Sequence, residues 1–489
     1  MKETSTALTL ADLIAGLAGS KVPATLVPDA RIRGAVVDSR LAQPGCLFIA
    51  THGEHQDGHD YIGDAVARGA AAVIAERLPA GVPCSVLDVE RGTPDGDSGR
   101  LQLPLCLLVP DTLAALQRAA AYWRRQREVR VIGITGSVGK TTSKEAIGAV
   151  LSQRFRTLKS RGNYNNEIGL PLTLLHLDAT YQRVVLEMGM YDLGEISQLA
   201  DIALPQVGIV TNVGPTHLER LGSIERIAQA KAELPQALPP ASDGGVAILN
   251  ADDHRVRAMA ALTPARVFTY GLASDADLWA SDLESKGLEG IRFQFHHRQE
   301  TIHARVPLLG RHSVHTALCA AAVGLVEGLS WEEILSGLRD QEAQLRLVVV
   351  PGPFGSTILD DTYNSSPASC RAALSLLAEV DGRKIAVLGD MLELGAYEAE
   401  AHRLVGRRAR DVVDLLVTVG PLGRTIAEEA LRAGMDAGSV YMVETNAQAI
   451  DLLRRLIEPN VPADRILVKG SRGLAMEGIV ASLQKRDLP

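Results

Sequence analysis

One stretch, residues 129–145 (VRVIGITGSVGKTTSKE), constrains the fold of this chain more than any other. Its first half is dense in β-branched side chains (Val129, Val131, Ile132, Ile134, Thr135) and reads as a buried parallel strand. Gly136, Ser137, Val138 and Gly139 follow, and two positions without Cβ let the main chain turn tightly around a ligand. Lys140, Thr141 and Thr142 then open a helix, so successive N–H groups and a helix N-terminus converge on one point suited to an anion. In such a loop the lysine reaches β- and γ-phosphates and the first hydroxyl sits on Mg²⁺. Ile134 stands in the slot of the first glycine of the generic pattern, but the Gly-Lys-Thr anchor and its flanking strand and helix are intact. A nucleotide site is the reading adopted here, over a Gly-rich turn before an ordinary helix.

A chain of 489 residues exceeds a single core and predicts about three domains. Aromatics make up only 4%, so the cores are expected to be aliphatic. A formal charge of −8 gives no general attraction to nucleic acid or anionic membrane, so an anionic ligand must meet local cations or a bound metal. The five cysteines are scattered without a C-x-x-C pair, which favours free thiols in a reducing compartment. Asp12 interrupts the first apolar stretch and no basic start precedes it, so no secretory signal is expected. No run reaches the roughly 18 apolar residues of a membrane span. A cytoplasmic protein is the expectation.

Along the chain, strands are predicted at 33–40, 45–51, 71–76 and 105–111 with helices between them, a small α/β unit whose helix 112–127 leads onward. Asp38, Ser39 and Arg40 offer a grip on phosphate. The polar loop 52–60 carries three histidines, read as solvated, with a metal site as the weaker alternative. After the phosphate loop, Asn163, Asn165 and Asn166 either present amides to a ligand or form Asx-turns. Glu187 ends a strand at the sheet edge where ligands of open parallel sheets sit, and could face a metal. His217 lies in a polar loop, and Lys231, among alanines on a helix, reads as snorkelling to water. Alternation over 265–307 argues for antiparallel strands appended to the parallel core, and the Ala-rich helix 310–329 for structural use. From 356 onward strand and helix alternate as in a doubly wound domain, with strand ends at 360–364, 389–391 and 469–473.

Taken together, VDSR (37–40), FIATHGEHQDGHDY (48–61), TGSVGKTTSKE, GNYNNEIGLPLTLL (162–175), LEMGM (186–190), TNVGPTHLERLGS, AKAEL, LDDTYNSSPAS (359–369), LGDMLELG (388–395) and VKGSRG resemble the Mur ligase family, ATP-dependent amide-bond-forming enzymes of peptidoglycan precursor synthesis. The NYNNEIGLPLTLL, TYNSSP and VKGSRG stretches are most similar to the member that joins D-alanyl-D-alanine to UDP-N-acetylmuramoyl-tripeptide.

The resemblance implies an α/β protein of three domains. These are a small UDP-sugar-binding α/β domain (1–110), a central P-loop parallel-sheet ATPase domain with appended antiparallel strands (111–342), and a C-terminal Rossmann-like doubly wound domain with acceptor and nucleotide contacts (343–489). It implies that Asp38, Ser39, Arg40, Asp57, Gly58 and His59 hold the UDP part. Gly136, Ser137, Val138, Gly139, Lys140, Thr141 and Thr142 would take the ATP phosphates, with Arg346 nearby and Asp361 and Tyr363 beside the ribose. Thr141, Glu187, His217 and Lys231 would surround two Mg²⁺ ions, Lys231 as a carbamate, which replaces the snorkelling reading. Asn163, Asn166, Asn364 and Ser471 would face the peptide and the incoming dipeptide. Two departures stand out: Ser313 and Thr316 replace both asparagines of the family helix, and His52 stands where many relatives carry lysine. A monomer is expected, without nucleic-acid partners or membrane insertion. The alternatives are a ligase of this family with a single amino acid as acceptor, and a nucleotide-controlled protein that binds a UDP-sugar peptide without forming a bond.

Overall fold

A computed structural model describes residues 7–18, 27–53, 56–94, 101–340, 347–459 and 463–484, so Arg346 lies outside the described residues. Among the described residues three sheets follow one another along the chain. The first runs in the order Ala35–Val36, Leu47–Ile49, Ala72–Ala75, Leu105–Leu108, Ser85–Asp88 and Thr93–Pro94, parallel except for the last pairing. The second has nine strands. Its parallel centre sets Arg130–Thr135 between Val207–Val210 and Arg183–Glu187, and Thr157–Lys159 closes one edge. The third is ordered Val348–Pro351, Thr357–Asp360, Arg465–Lys469, Lys384–Gly389, Leu415–Val419 and Val440–Val443. The α/β class expected from the alternating pattern is what the chain forms. Among the described residues no helix is long and apolar enough to cross a membrane.

Several local expectations shift. Asp38 accepts the Arg40 N–H at 2.9 Å and caps a 3₁₀ turn, Ser39–Leu41, so the strand predicted at 33–40 stops at Val36. The VFTYG segment pairs parallel with Val246–Asn250; antiparallel pairing begins only between Leu278–Ser285 and Ile291–His297. The period-2 pattern reports a face, not a direction, and therefore could not tell these apart. Val348–Pro351 adds an antiparallel edge strand that the pattern did not announce. The last helix starts at Glu477 and not at 474, because Ala475 takes a left-handed conformation (φ 48°).

The strand Arg130–Thr135 is buried from Val131 to Thr135, as a run covered on both faces demands. Helices Lys140–Leu151 and Val314–Val326 pack together on one of its faces, and the latter is buried along most of its length, in line with its structural reading. One continuous cluster of buried apolar residues, from Leu8 to Ala265, joins the N-terminal and middle domains. The two clusters of the C-terminal domain, one on each side of its sheet, draw their buried members only from its own residues.

The connecting helix Thr112–Arg125 is fastened by a buried arginine. The Arg124 guanidinium donates to the carbonyls of Ala203 (2.8 Å), Arg127 (3.0 Å), Val129 (3.1 Å) and Leu204 (3.3 Å). Desolvation draws its pKa down to about 10, which still leaves it charged at neutral pH. Arg124→Met keeps the aliphatic stem but strands four carbonyls in a buried site. At about 1–3 kcal/mol for each group left unsatisfied, some of which regain water, we expect a loss of about 3 kcal/mol, read as a lower urea midpoint with unchanged m-value.

Candidate active site

Gly139 (φ 86°) precedes helix Lys140–Leu151, and Gly136 (φ 148°) turns the chain out of the strand. A Cβ at Gly136 would sit 1.9 Å from Thr211 Oγ1, so the position admits only glycine. The following strand end braces the loop. Val138 N–H donates to Asn212 Oδ1 (2.9 Å), and the Val138 carbonyl accepts from Thr211 Oγ1 and Asn212 Nδ2, both at 2.8 Å. Ser137 Oγ donates to the Gly214 carbonyl at 2.9 Å and accepts the Gly214 N–H at 2.8 Å, so this hydroxyl shapes the loop. Lys140 Nζ folds back onto the Gly136 carbonyl at 2.7 Å, which holds a cation over the turn.

Strand register places Glu187 opposite Ile134, at the carboxyl edge beside this loop. Its carboxylate is buried and accepts from Thr141 Oγ1 at 2.8 Å and from Asn165 Nδ2 at 3.0 Å. The three asparagines thus divide by role. Asn165 reaches the carboxylate, whereas Asn166 Oδ1 accepts the Gly169 N–H at 2.9 Å as a turn residue. Lys144, a residue that sequence reasoning passed over, is buried one turn beyond Lys140. It donates to the Ser160 and Gly162 carbonyls at 2.8 and 3.0 Å and lies 4.0 Å from Glu187. Its signal was its i+4 spacing from Lys140, which puts both lysines on one helix face.

Lys231 does not extend to the protein surface. Helix Ile224–Gln236 turns Ala230, Lys231 and Ala232 inward, leaving the lysine 2% exposed. It has no hydrogen-bond or ion-pair partner among the described residues. Desolvation, with the charge of Lys140 adding to it, holds its amine well below the ordinary lysine value. The snorkelling expectation fails because tertiary packing, not the helix's own composition, covers this face.

These groups open into one cavity of about 1090 Å³ between the middle and C-terminal domains. Lys140, Glu187, His217 and Lys231 line one side, Asp361 and Tyr363 the other. Asn163, Asn166, Asn364 and Ser471 also border it, as do Ser313 and Thr316. Ser313 Oγ is taken up by the Leu309 carbonyl at 2.6 Å. On the C-terminal side, Lys469 is buried, pairs with Asp361 at 2.7 Å and donates to the Asn364 carbonyl at 2.8 Å. Ser471 Oγ accepts the Leu392 N–H at 3.0 Å, tying two strand-end loops together.

The N-terminal candidates do not border this cavity. Arg40 grips Asp38 through Nε and Nη2 at 2.9 and 2.7 Å, which holds the Asp38 carboxyl below its usual range, while the rest of Arg40 faces solvent. The loop histidines are not all solvated as expected. His59 is fully buried, with Nδ1 2.6 Å from Asp57 Oδ1 and Nε2 accepting the Glu76 N–H at 2.9 Å. That pairing assigns the ring proton to Nδ1 and uses both nitrogens. His52, His59 and Glu76 bring possible ligand atoms within 4.8 Å of one another, yet His59 has no nitrogen left for a metal. Gly58 is needed for a different reason: a Cβ there would meet the Thr51 carbonyl oxygen at 2.7 Å.

A glycine loop and buried carboxylate at one sheet edge, facing a doubly wound domain across a cleft, define the class of protein, and the chain belongs to the Mur ligase family. The family's models match at residues 31–90 (Mur ligase family, catalytic domain), 134–324 (Mur ligase middle domain) and 345–472 (Mur ligase, glutamate ligase domain). Among individual relatives, the chain is 38% identical over 491 residues to the UDP-N-acetylmuramoyl-tripeptide–D-alanyl-D-alanine ligase of Mycobacterium bovis, covering 94% of this chain and 93% of that protein. It superposes on the crystal structure of MurF from Acinetobacter baumannii with a TM-score of 0.81 at 31% identity, covering 99% of this chain and all of the other. The MurF ligase of Thermotoga maritima in complex with ADP aligns at TM-score 0.73 and 26% identity, over 93% and 97% of the two chains.

Proposed function

We propose that this chain is an ATP-dependent ligase that joins D-alanyl-D-alanine to UDP-N-acetylmuramoyl-tripeptide, forming an amide bond with release of ADP and phosphate in peptidoglycan precursor synthesis. The observation that carries this reading is the single cavity in which the glycine loop, the buried Glu187 and the strand ends of the C-terminal domain meet. A cytoplasmic monomer is part of the proposal.

A carboxylate is a poor electrophile because an oxide would have to leave. In the first step a tripeptide carboxylate oxygen attacks the γ-phosphorus of ATP, and ADP departs. The amine of D-alanyl-D-alanine then attacks the acyl phosphate, loses a proton, and expels phosphate from the tetrahedral intermediate. No serine or cysteine nucleophile is required. The chain's task is to position the reactants and offset phosphate charge, and positioning alone can supply about 7–11 kcal/mol of the barrier. The loop Gly136–Gly139 and the N-terminus of the helix behind it cradle the phosphates, while Asn212 holds the Val138 N–H and braces the turn, and Lys140 leaves the Gly136 carbonyl to meet them. Asp361 and Tyr363 hold the ribose side. Asp38, Ser39, Arg40 and the 57–59 loop bind the UDP part, His59 by fixing that loop. Asn163, Asn166, Asn364 and Ser471 face the peptide groups.

The donor set suits Mg²⁺. Glu187 is a buried carboxylate beside the Thr141 hydroxyl, and Lys231 is a buried amine without counter-charge. An amine kept neutral by desolvation is the form that adds to CO₂, with release of one proton, and the carbamate so formed would place an anionic ligand where a neutral amine stood. Thr141, Glu187, His217 and carbamylated Lys231 would hold the metal ions, which supply charge neutralisation and Lewis acidity at the phosphates.

A coupled assay tests the proposal. ADP and phosphate should accumulate only when the UDP-tripeptide and the dipeptide are both present. Turnover with single amino acids in place of the dipeptide would select the other ligase reading. Binding of the sugar nucleotide without ADP release under any acceptor would leave a binding protein.

A further inference from the structure

His217 carries an unexplained feature. It is a non-glycine residue in the left-handed region (φ 57°), and its Nδ1 is buried without a hydrogen-bond partner among the described residues. The atom facing it comes from the other side of the cavity: Glu393 Oε2, 2.7 Å away but outside hydrogen-bond geometry. Glu393 is itself left-handed (φ 64°). Such conformations persist only where the surroundings impose them, and here two confront each other across a domain boundary.

Both partners are rigidly mounted in their own domains. On the C-terminal side, Met391 N–H donates to His402 Nε2 and Leu392 N–H to Ser471 Oγ, each at 3.0 Å, so Glu393 moves with its domain. On the middle-domain side, the Tyr191 ring meets His217 edge-on at 5.0 Å. The next turn, Gly395–Tyr397, packs on helix Leu218–Leu221 so closely that a Cβ at Gly395 would lie 3.1 Å from the Glu219 backbone. Because the fully buried members of the C-terminal clusters all come from that domain, and the middle domain adds only the partly buried Leu288 at their edge, this contact can form and break with little exposure of shared core.

We propose that Glu393 is a positioning residue for His217: a carboxylate delivered by the C-terminal domain that orients the imidazole through Nδ1 and leaves Nε2 to coordinate metal. A histidine ligand ordinarily has its second nitrogen held by a carboxylate or carbonyl, and loss of that partner weakens metal binding 10–100-fold. Here the holder sits on a different domain, so metal affinity in the middle domain and approach of the acceptor-binding domain are coupled, each favouring the other. The inference rests on the metal-centred reading of the site.

The test is Mn²⁺ binding, followed by electron paramagnetic resonance in the presence of a non-hydrolysable ATP analogue, for the wild type, Glu393→Gln and Glu393→Ala. The expected result is a 10-fold or greater weakening in both variants, with an unchanged melting temperature and unchanged UDP-tripeptide affinity. Glu393→Gln keeps the side-chain shape, so it reports on the carboxylate even if Glu393→Ala folds poorly. Wild-type Mn²⁺ affinity in Glu393→Gln would overturn the proposal while leaving the ligase intact. Absence of nucleotide-dependent Mn²⁺ binding in the wild type would instead overturn the metal-centred reading itself.

Discussion

Lys140→Ala should lower ligase turnover by about a thousandfold at saturating substrates, with binding of the UDP-tripeptide unchanged within about twofold. The expectation follows from position. Lys140 opens the helix behind Gly139, and its ammonium already lies over the loop at 2.7 Å from the Gly136 carbonyl. When a terminal phosphoryl group is transferred, charge spreads over its oxygens, and removing one preorganised positive donor from such a site costs on the order of 10²–10³ or more in rate. The sugar nucleotide is assigned to the N-terminal domain, whose candidates lie outside the cavity, so its affinity should not follow Lys140. Product formation by chromatography and UDP-tripeptide binding by calorimetry check the two halves separately. Full turnover in the variant would remove Lys140 from the mechanism.

Lys231→Ala should be as damaging, and short carboxylic acids such as formate or acetate should restore part of the lost rate. An ammonium buried without a counter-charge is costly, so the side chain must be neutral or chemically altered. A carbamate supplies an anion where packing has removed water, and truncation to alanine leaves room for a small carboxylate in its place. Enzyme equilibrated with ¹³C-labelled CO₂ should show a carbamate resonance that the variant lacks, a readout independent of turnover. A wild-type rate in Lys231→Ala would exclude the role.

Both lysines were visible in the chain, but not equally legible. Lys140 is defined by its neighbours: a β-branched strand, two glycines and a helix start all lie within a dozen residues of it. Lys231 reads locally as a surface lysine among alanines. Nothing within a turn of it reports that its helix face is covered by packing from distant segments, and only the family resemblance pointed to the site. The asparagine stretch shows the same divide. Composition left amide ligands and Asx-turns equally open; in the fold Asn165 gives its amide N–H to the buried Glu187, a use that neither reading named, and Asn166 Oδ1 accepts the Gly169 N–H in a turn. The histidines of the 52–60 loop look solvated because their neighbours are polar, yet His59 is fully buried once Asp57 and Glu76 close around it.

By itself the sequence determined what short-range chemistry can encode: the strand–glycine–helix cradle, the alternation that makes three α/β units, and the carboxylate at a strand end. The tertiary structure alone decided which side chains lose their water and which meet across domains. Glu187 is linked to Asn165 across 22 residues of chain, and His217 faces Glu393 from another domain. The physical reason is that a side chain's solvation and partners are set by whatever packs over it, and residues that distant leave no periodic trace in the segment they cover.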